Sequence, residues 1–140
     1  MHIMSLLLSG MTRNKLGEKF DVALEHAGLG IDHNQLWILI ELWNEDGRKQ
    51  VDLCKSVLKD KFTMSRLIDK MENKGLVIRR EDKIDGRINR IILTDLANDI
   101  KPECMNITRE ISAEVFDGIS DKDLDKLCKL MLRVIRNILK

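Results

Sequence analysis

The segment RREDKIDGRINRIILTDLA, residues 79–97, sets the tightest limits on the architecture of this chain. Its middle contains Asp85-Gly86, the dipeptide most typical of a two-residue hairpin turn. The pattern predicts strands at residues 76–82 and 88–93, joined by a turn near 84–87. Apolar residues recur at helical spacing on both sides of this hairpin. We therefore predict a mainly α fold with one small, strongly charged β element.

The bulk properties of the sequence indicate a single globular domain spanning residues 1–140. The 140 residues are 44% hydrophobic and include one proline, a balance typical of a chain that buries a core. Three cysteines without a CxxC motif do not form a disulfide framework. No apolar run reaches the roughly 18 residues of a membrane span. We expect a cytoplasmic protein with no membrane partner.

Helical patterns cover most of the chain before the hairpin. A first helix is predicted within residues 5–27, and we interpret the N-terminal run MHIMSLLLSGM as its beginning, because no Lys or Arg precedes the apolar residues as in a signal peptide. A second helix begins at Asp32, which forms a capping-box pattern with Gln35. Two short amphipathic helices are predicted at residues 50–60 and 62–75.

Two longer helices are predicted after the hairpin. The first begins at Thr94 or Asp95 and runs to about Phe116, and Pro102 inside it predicts a kink or a break. The second begins at Ser120, whose hydroxyl can cap the helix. Its apolar residues recur nearly every 3.5 positions, a spacing that suits packing against a partner helix or within one subunit.

Two short helices followed by a two-stranded element are typical of a winged helix-turn-helix, whose second short helix enters a DNA major groove. The charge distribution agrees with this interpretation. Residues 48–90 contain 13 Lys/Arg and 7 Asp/Glu, a net charge of +6, whereas the remainder carries −5. A basic centre between acidic ends predicts an anionic partner, which we expect to be double-stranded DNA.

The segment RLIDKMENKGLVIRREDKIDGRINRIILT, residues 66–94, resembles the central part of MarR-family transcriptional regulators. Four elements of the family pattern are present in register: Arg-Leu-Ile-Asp from position 66, Gly-Leu-Val from position 75, Asp-Gly-Arg from position 85, and Leu-Thr at positions 93 and 94. The similarity extends without gaps back to Gln35. The chain departs from the pattern at Leu58 and Ala97, where glycine is frequent, at Phe62, where the residue is usually small or polar, and at Arg48, where it is commonly apolar.

This resemblance implies a homodimer. Residues 1–30 and 95–140 would form the dimerisation helices, and residues 31–94 would form a winged-helix DNA-binding lobe with a two- to three-stranded wing and a recognition helix at about 62–74. We assign the dimer interface to apolar residues of the first and last helices, namely Leu16, Phe20, Leu124, Leu127, Met131, Val134 and Ile138.

The resemblance also gives roles to the charged hairpin. It implies that Arg87 reaches the minor groove, and a narrow A·T-rich groove attracts arginine. Asp85 would brace an arginine or the hairpin backbone. The less specific interpretation is a hairpin whose charges are simply solvated.

The recognition helix offers a second set of candidate DNA contacts. Thr63, Ser65 and Arg66 are candidates for base edges, because arginine can hold both acceptors of guanine and hydroxyls accept several partners. Lys55, Lys61 and Lys70 are better suited to phosphates, which contribute affinity without sequence information. The less specific interpretation is an amphipathic helix with an ordinary solvated face.

The predicted function is that of a sequence-specific regulator, a repressor that binds a pseudo-palindromic operator as a homodimer. Many members of the family respond to a small aromatic or anionic effector, and for this chain the residues of such a site stay unassigned. The alternative is a winged-helix module that binds a protein and has no specific DNA partner. An enzyme is disfavoured because no nucleophile, metal-binding or nucleotide-binding motif is present, so no catalytic residue, metal or cofactor is expected.

Overall fold

The structure is a computed structural model that describes residues 11–140, with side chains from Arg13 onward. The first ten residues, which include most of the run predicted to begin the first helix, lie outside the described part. The elements in chain order are α1 (Met11–His26), α2 (His33–Asn44), β1 (Arg48–Lys49), α3 (Gln50–Ser56), α4 (Lys61–Asn73), β2 (Val77–Glu81), β3 (Asn89–Leu93), α5 (Asp95–Val115) and α6 (Asp121–Ile138).

The second helix begins where its capping box predicts. The Asp32 carboxylate accepts a hydrogen bond from the Gln35 backbone N–H at 2.9 Å, and the Gln35 side chain accepts one from the Asp32 N–H at 3.3 Å. Two otherwise unpaired donors of the first turn are thereby satisfied. This helix packs against α1, where the Phe20 and Trp37 rings meet edge to face with centroids 4.7 Å apart. The His33 backbone N–H also donates to Asp21 of α1 at 2.7 Å.

The helix-turn-helix pair consists of α3 and α4. We predicted a helix at residues 50–60, but α3 ends at Ser56, because Leu58 has a φ of 53° and such a left-handed residue cannot continue a right-handed helix. The next helix begins at once, since the Asp60 carboxylate accepts from the Thr63 backbone N–H at 2.8 Å. It ends at Asn73, and beyond it Gly75 (φ 73°) and Leu76 donate backbone hydrogen bonds back into the helix in a Schellman motif.

The wing is a three-stranded antiparallel sheet in the order β1-β3-β2. The ladder of β2 and β3 ends at Glu81 and Asn89, and the Asp82 N–H still donates to the Ile88 carbonyl at 2.8 Å. The predicted strands at residues 76–82 and 88–93 therefore agree with the structure to within one residue. The Asp85-Gly86 dipeptide does form a turn, closed by a 3.0 Å hydrogen bond from the Ile88 N–H to the Asp85 carbonyl. The Asp82 side chain accepts two backbone N–H groups of the loop, and these local hydrogen bonds stabilise the connection between the strands.

The long helix α5 runs without interruption from Asp95 to Val115 although it contains Pro102. Thr94 caps it, since its hydroxyl oxygen accepts from the Ala97 N–H at 3.3 Å. The predicted break is absent. Proline removes one backbone hydrogen bond and displaces the carbonyl four residues earlier, but Asn98 and Pro102 are both exposed, so water can satisfy that carbonyl.

The described chain divides into two compact units. The first extends to Thr108 and the second is Arg109–Lys140. The core of the first unit contains the largest fully buried side chains: Leu24, Leu36, Ile38, Leu39, Leu42, Leu53, Met64, Ile68, Met71, Ile91, Gln35 and Val77. Because this core draws on the helices of residues 13–73 and on the sheet, it holds the recognition helix and the wing on one support. The second unit contains α6, in which no residue is buried.

Candidate nucleic-acid interface

The predicted recognition helix α4 has one buried face and one solvent face. Met64, Ile68 and Met71 are buried, at the spacing of one helical stripe. At 100° per residue, Phe62 and Arg66 lie one turn apart near the middle of the opposite face, and both are exposed. Lys70 continues this face and is also exposed. The part of the helix that faces solvent therefore includes one aromatic ring and two cations, together with Asn73 and Asp69, whose carboxylate accepts from Arg79.

The two hydroxyl residues that we predicted as base readers lie beside this solvent face. Thr63 is half-buried and its hydroxyl donates to the Asp60 carboxylate at 2.7 Å. Ser65 is also half-buried, and its side chain and carbonyl lie next to the Arg79 guanidinium. Both hydroxyls thus have intramolecular partners. Sequence reasoning assigned no role to Asp60. Its role as a cap has a local signal, because a carboxylate at the N-cap position can accept the backbone N–H of the residue three positions later.

The cap also sets the charge state of Asp60. Hydrogen bonds from the Thr63 backbone N–H and then from its hydroxyl hold the pKa of Asp60 below its usual value. A fixed negative charge at the first turn is favourable to the helix dipole.

Arg79 on β2 fastens the recognition helix to the wing. Its guanidinium donates to Asp69 at 2.6 Å, to Glu72, and to the Ser65 carbonyl at 2.9 Å, all on α4. Its Nε donates to Gln50 at the start of α3 at 3.1 Å. Only 19% of the Arg79 side chain is exposed. We call this set of contacts the Arg79 clasp, and sequence reasoning missed it because its partners lie 7 to 29 positions away.

The base of the wing is held by Asp82 and Arg90. The Arg90 Nε donates to the Asp82 carboxylate, and its Nη1 donates to the Gly47 carbonyl at 2.8 Å. The hydrogen bond from Arg90 is the main reason that the pKa of Asp82 falls to about 2. The wing loop is therefore closed by an ion pair at its base.

At the wing tip, Asp85 and Arg87 form a second pair. The Arg87 Nε and Nη2 lie 3.1 and 3.2 Å from the two Asp85 oxygens, and its backbone N–H donates to the same carboxylate. These bonds lower the pKa of Asp85, with the Arg87 side chain as the main cause. The Arg87 side chain is nonetheless 91% exposed. Asp85 thus positions an arginine that stays open to solvent.

The structure brings three of the predicted cationic contacts together. Lys55 of α3, Lys61 of α4 and Arg87 of the wing border one cleft of about 480 Å³, whose apolar wall includes Val51 and Ile88. Predicted phosphate contacts from the helix-turn-helix and the wing arginine therefore share one surface.

The three cysteines differ in environment. Cys54 borders this cleft and its thiol has a raised pKa, mainly because of burial. Burial also raises the pKa of Cys104 to about 11. A raised pKa disfavours the reactive thiolate at neutral pH. Cys128 on α6 is exposed.

The residues assigned to the dimer interface divide into two groups. Phe20 is 3% exposed and packs on Trp37, so most of its surface is used within its own chain, and Leu16 is half-buried. The residues on α6 keep an accessible apolar stripe, with Leu127 50% and Ile138 75% exposed. The stripe comprises Leu124, Leu127, Met131, Val134 and Ile138.

Residues 11–140 contain no group of three or more His, Cys, Asp or Glu side chains arranged to hold a metal ion. None of the helices in this part of the chain combines the length and the apolar character that crossing a membrane requires.

Comparison with known proteins identifies the winged-helix segment. Residues 31–89 match the model of the MarR family. This segment is a MarR-family domain. A MarR transcriptional regulator from Methanosarcina mazei Go1 is 26% identical over 93% of this chain and 95% of its own, with a TM-score of 0.78. The transcriptional regulator PA3341 is 27% identical over 98% of both chains, with a TM-score of 0.81. The regulator SlyA shares the fold at 20% identity, with 99% of this chain and 94% of its own covered and a TM-score of 0.85.

The MarR-family fold is that of DNA-binding transcriptional regulators, and the cationic cleft lies between the two parts of this fold that are expected to contact DNA.

The structure also explains one departure from the family pattern. Leu58 stands where glycine is frequent, and its φ of 53° is a conformation that glycine adopts without cost. Arg48, another departure, begins β1 opposite Ile91 and donates to Glu41 at 2.6 Å.

Proposed function

We propose that this protein is a MarR-family homodimeric repressor that binds a pseudo-palindromic operator in double-stranded DNA. One observation carries the proposal: Lys55 of α3, Lys61 of α4 and the wing arginine Arg87 border one cationic cleft. A recognition helix in the major groove and a wing in the adjacent minor groove both require such a surface. Lys61 and Lys70 would hold phosphates, and Arg66 would reach a base edge.

The wing supports the proposal through Arg87. Its side chain is 91% exposed at the end of a loop that Asp82 and Arg90 close at the base. Asp85 restricts the orientation of the Arg87 guanidinium. The guanidinium has five N–H donors, so it can bind DNA while it keeps its hydrogen bonds to Asp85. An arginine presented in this way is suited to a narrow minor groove.

The homodimer is supported by α6. Its apolar stripe would be costly to leave in water, and a second copy of the same helix can cover it in a symmetric, self-complementary contact. Two recognition helices related by a twofold axis would bind half-sites about one helical turn apart.

An effector response is supported by a second cavity, of about 360 Å³, in the first unit. Its wall includes Trp37 and Ile40 of α2 and the Arg13 cation of α1. An aromatic surface beside a cation suits a small aromatic anion. Binding there would favour one arrangement of α1, α2 and the α3–α4 turn, and release of DNA follows if that arrangement does not fit the operator.

A winged-helix module that binds an acidic protein is the second candidate. The observation that favours it is Ile84 at the wing tip, which is 98% exposed and carries no charge for DNA. Such a module would bind DNA weakly and without regard to sequence.

The test is fluorescence anisotropy on duplexes selected from random DNA, measured over a salt series with scrambled competitor. Binding that resists competitor and weakens steeply with salt supports the repressor. Arg87→Ala should reduce operator affinity roughly tenfold and leave the oligomeric state unchanged. Arg136→Ala on α6, with the same change of charge, is the matched control.

Two results would contradict the proposal. If selection enriches no sequence, the protein does not recognise an operator, and the protein-binding module is preferred. If Arg87→Ala and Arg136→Ala bind with equal affinity at matched salt, the wing arginine does not contact DNA.

A further inference from the structure

Phe62 is an unusual residue for its place in the fold. It is the second residue of the recognition helix, and 75% of its surface is exposed. An aromatic ring of this size normally contributes to stability by leaving water, and here the described chain leaves most of it in water. Phe62 therefore adds little to the stability of the fold, and a role in binding a partner would explain its exposure.

The surroundings of Phe62 indicate an anionic partner. Lys61 precedes it, Arg66 lies one turn further along the same face, and Lys70 follows, whereas the carboxylate of Asp69 on this face is paired with Arg79. A cationic face with one apolar group near its N-terminal end would suit a negatively charged surface that itself presents an apolar group. The N-terminal residues of a recognition helix are those that reach base edges.

DNA presents one such apolar group in the major groove. Thymine carries a methyl group on C5, and the other three bases present only polar atoms or hydrogen at their major-groove edges. The phenyl ring of phenylalanine is among the side chains that contact this methyl group. Among the residues described for α4, Phe62 is the large apolar side chain on the solvent face.

We infer that Phe62 is a specificity-determining residue that contacts the 5-methyl group of a thymine in each operator half-site. The inference rests on the proposed function, since it requires the solvent face of α4 to enter the major groove. It departs from the expectation that hydroxyls read the bases at this end of the helix, because the hydroxyl of Thr63 is held by Asp60. Thr63 has a methyl group of its own, so the test must separate the two residues.

The test compares the selected operator with duplexes in which deoxyuridine replaces one thymidine at a time. This replacement removes the methyl group and keeps every hydrogen-bonding atom. Burial of one methyl group predicts a loss of about fourfold in affinity for each methyl removed at the contacted position. The wild-type protein should show this loss at one symmetric pair of positions, and Phe62→Ala should bind the thymine and uracil duplexes equally.

The control variant is Ile84→Ala. It removes another exposed apolar side chain, 98% exposed and on the wing, and should leave the difference between thymine and uracil unchanged. Thr63→Ser removes the competing methyl group and should also leave it unchanged. Thermal unfolding of each variant checks that the fold is intact, which we expect because Phe62 and Ile84 are exposed and Thr63→Ser keeps the hydroxyl.

The outcomes separate this inference from the function on which it rests. Selection that enriches no sequence overturns both. A selected operator whose affinity is indifferent to uracil at every position overturns the inference alone. So does a uracil effect that persists in Phe62→Ala or disappears in Thr63→Ser. The inference is also overturned if Phe62→Ala loses the same factor of affinity for operator and for scrambled DNA. That result would mean that the ring contacts the DNA backbone and not a base.

Discussion

At the scale of single residues, Leu58 shows a cost that the fold tolerates. Its φ of 53° lies in the left-handed region, which costs an L-residue roughly 1–2 kcal/mol. Its side chain is 74% exposed and so returns little burial. This residue lies in the short turn between α3 and α4.

We predict that Leu58→Gly stabilises the protein by up to about 1 kcal/mol, since glycine removes the left-handed penalty but has more conformational freedom to lose on folding. The change should appear as a higher urea midpoint with an unchanged m-value. Leu58→Ala keeps a Cβ atom and should show no gain. Equal midpoints for the glycine and wild-type proteins would contradict this account of the turn.

Local patterns were sufficient for residues whose partners are near in sequence. The capping box of Asp32 and Gln35 and the cap at Thr94 were predicted because three or four positions determine them. Phe20 was assigned to the dimer interface, and it is buried against Trp37 within its own chain. An apolar stripe has the same spacing whether a core or a partner covers it, so the sequence alone could not separate the two.

At the scale of elements, the wing was predicted as a charged hairpin with strands at residues 76–82 and 88–93, and the observed strands end within one residue of these bounds. The Asp85-Gly86 dipeptide located the turn because its signal is local. The contacts that hold the loop were not predicted. The Asp82 side chain has partners at Ile84, Asp85 and Arg90, and the propensity of a dipeptide does not include such side-chain partners.

The wing should respond to acid through Asp82. Its pKa is about 2 in the folded protein, below the usual 3.8, so its ion pair with Arg90 stabilises the fold fully above pH of about 4. This contribution decreases as the pH falls from about 4 towards 2, as the carboxylate is protonated. We predict that Asp82→Asn is less stable than wild type at pH 6 and that the difference narrows towards pH 2.

Urea unfolding at a series of pH values measures this difference. Asp125→Asn on α6 is the matched control, because Asp125 is exposed and has only Lys129 as a described ion-pair partner. Its effect should stay within about 0.5 kcal/mol at every pH. A difference between Asp82→Asn and wild type that is constant from pH 6 to 2 would contradict the role of the Asp82 charge.

At the scale of the whole molecule, the α6 stripe is the feature that a single chain leaves unexplained. Met131 lies in its middle and is 40% exposed, and Leu127 and Ile138 are more exposed still. Under the proposed function, these residues meet their counterparts in a second copy. Ending the chain after Lys126 removes most of the stripe and should abolish dimerisation.

A point variant tests the same interface without shortening the chain. Met131→Glu should shift the protein towards monomer in sedimentation or light scattering, because it would place a charge in an apolar contact. Arg133→Glu, on the polar side of the same helix, should leave the dimer intact. A truncated or Met131→Glu protein that stays a folded dimer would refute the assignment of α6 to the interface.

The resemblance to the MarR family and the charge distribution could be predicted, because both depend only on the order of residues along the chain. The four family elements lie within residues 66–94, and the basic centre is visible by counting. The Arg79 clasp could not be predicted, since its partners on α3 and α4 are brought together only by folding. The effector and the operator sequence depend on molecules outside the chain.

The Arg79 clasp has a consequence for the DNA that this protein would recognise. Because one guanidinium joins the recognition helix to the wing strand, the two parts that enter adjacent grooves are expected to move as one piece. The distance between the bases read by α4 and those touched by Arg87 is then fixed within each half of an operator. Selection should therefore remove operators with a base pair inserted inside a half-site. The spacing between the two half-sites is set by the dimer and could vary during evolution if the dimer arrangement changes.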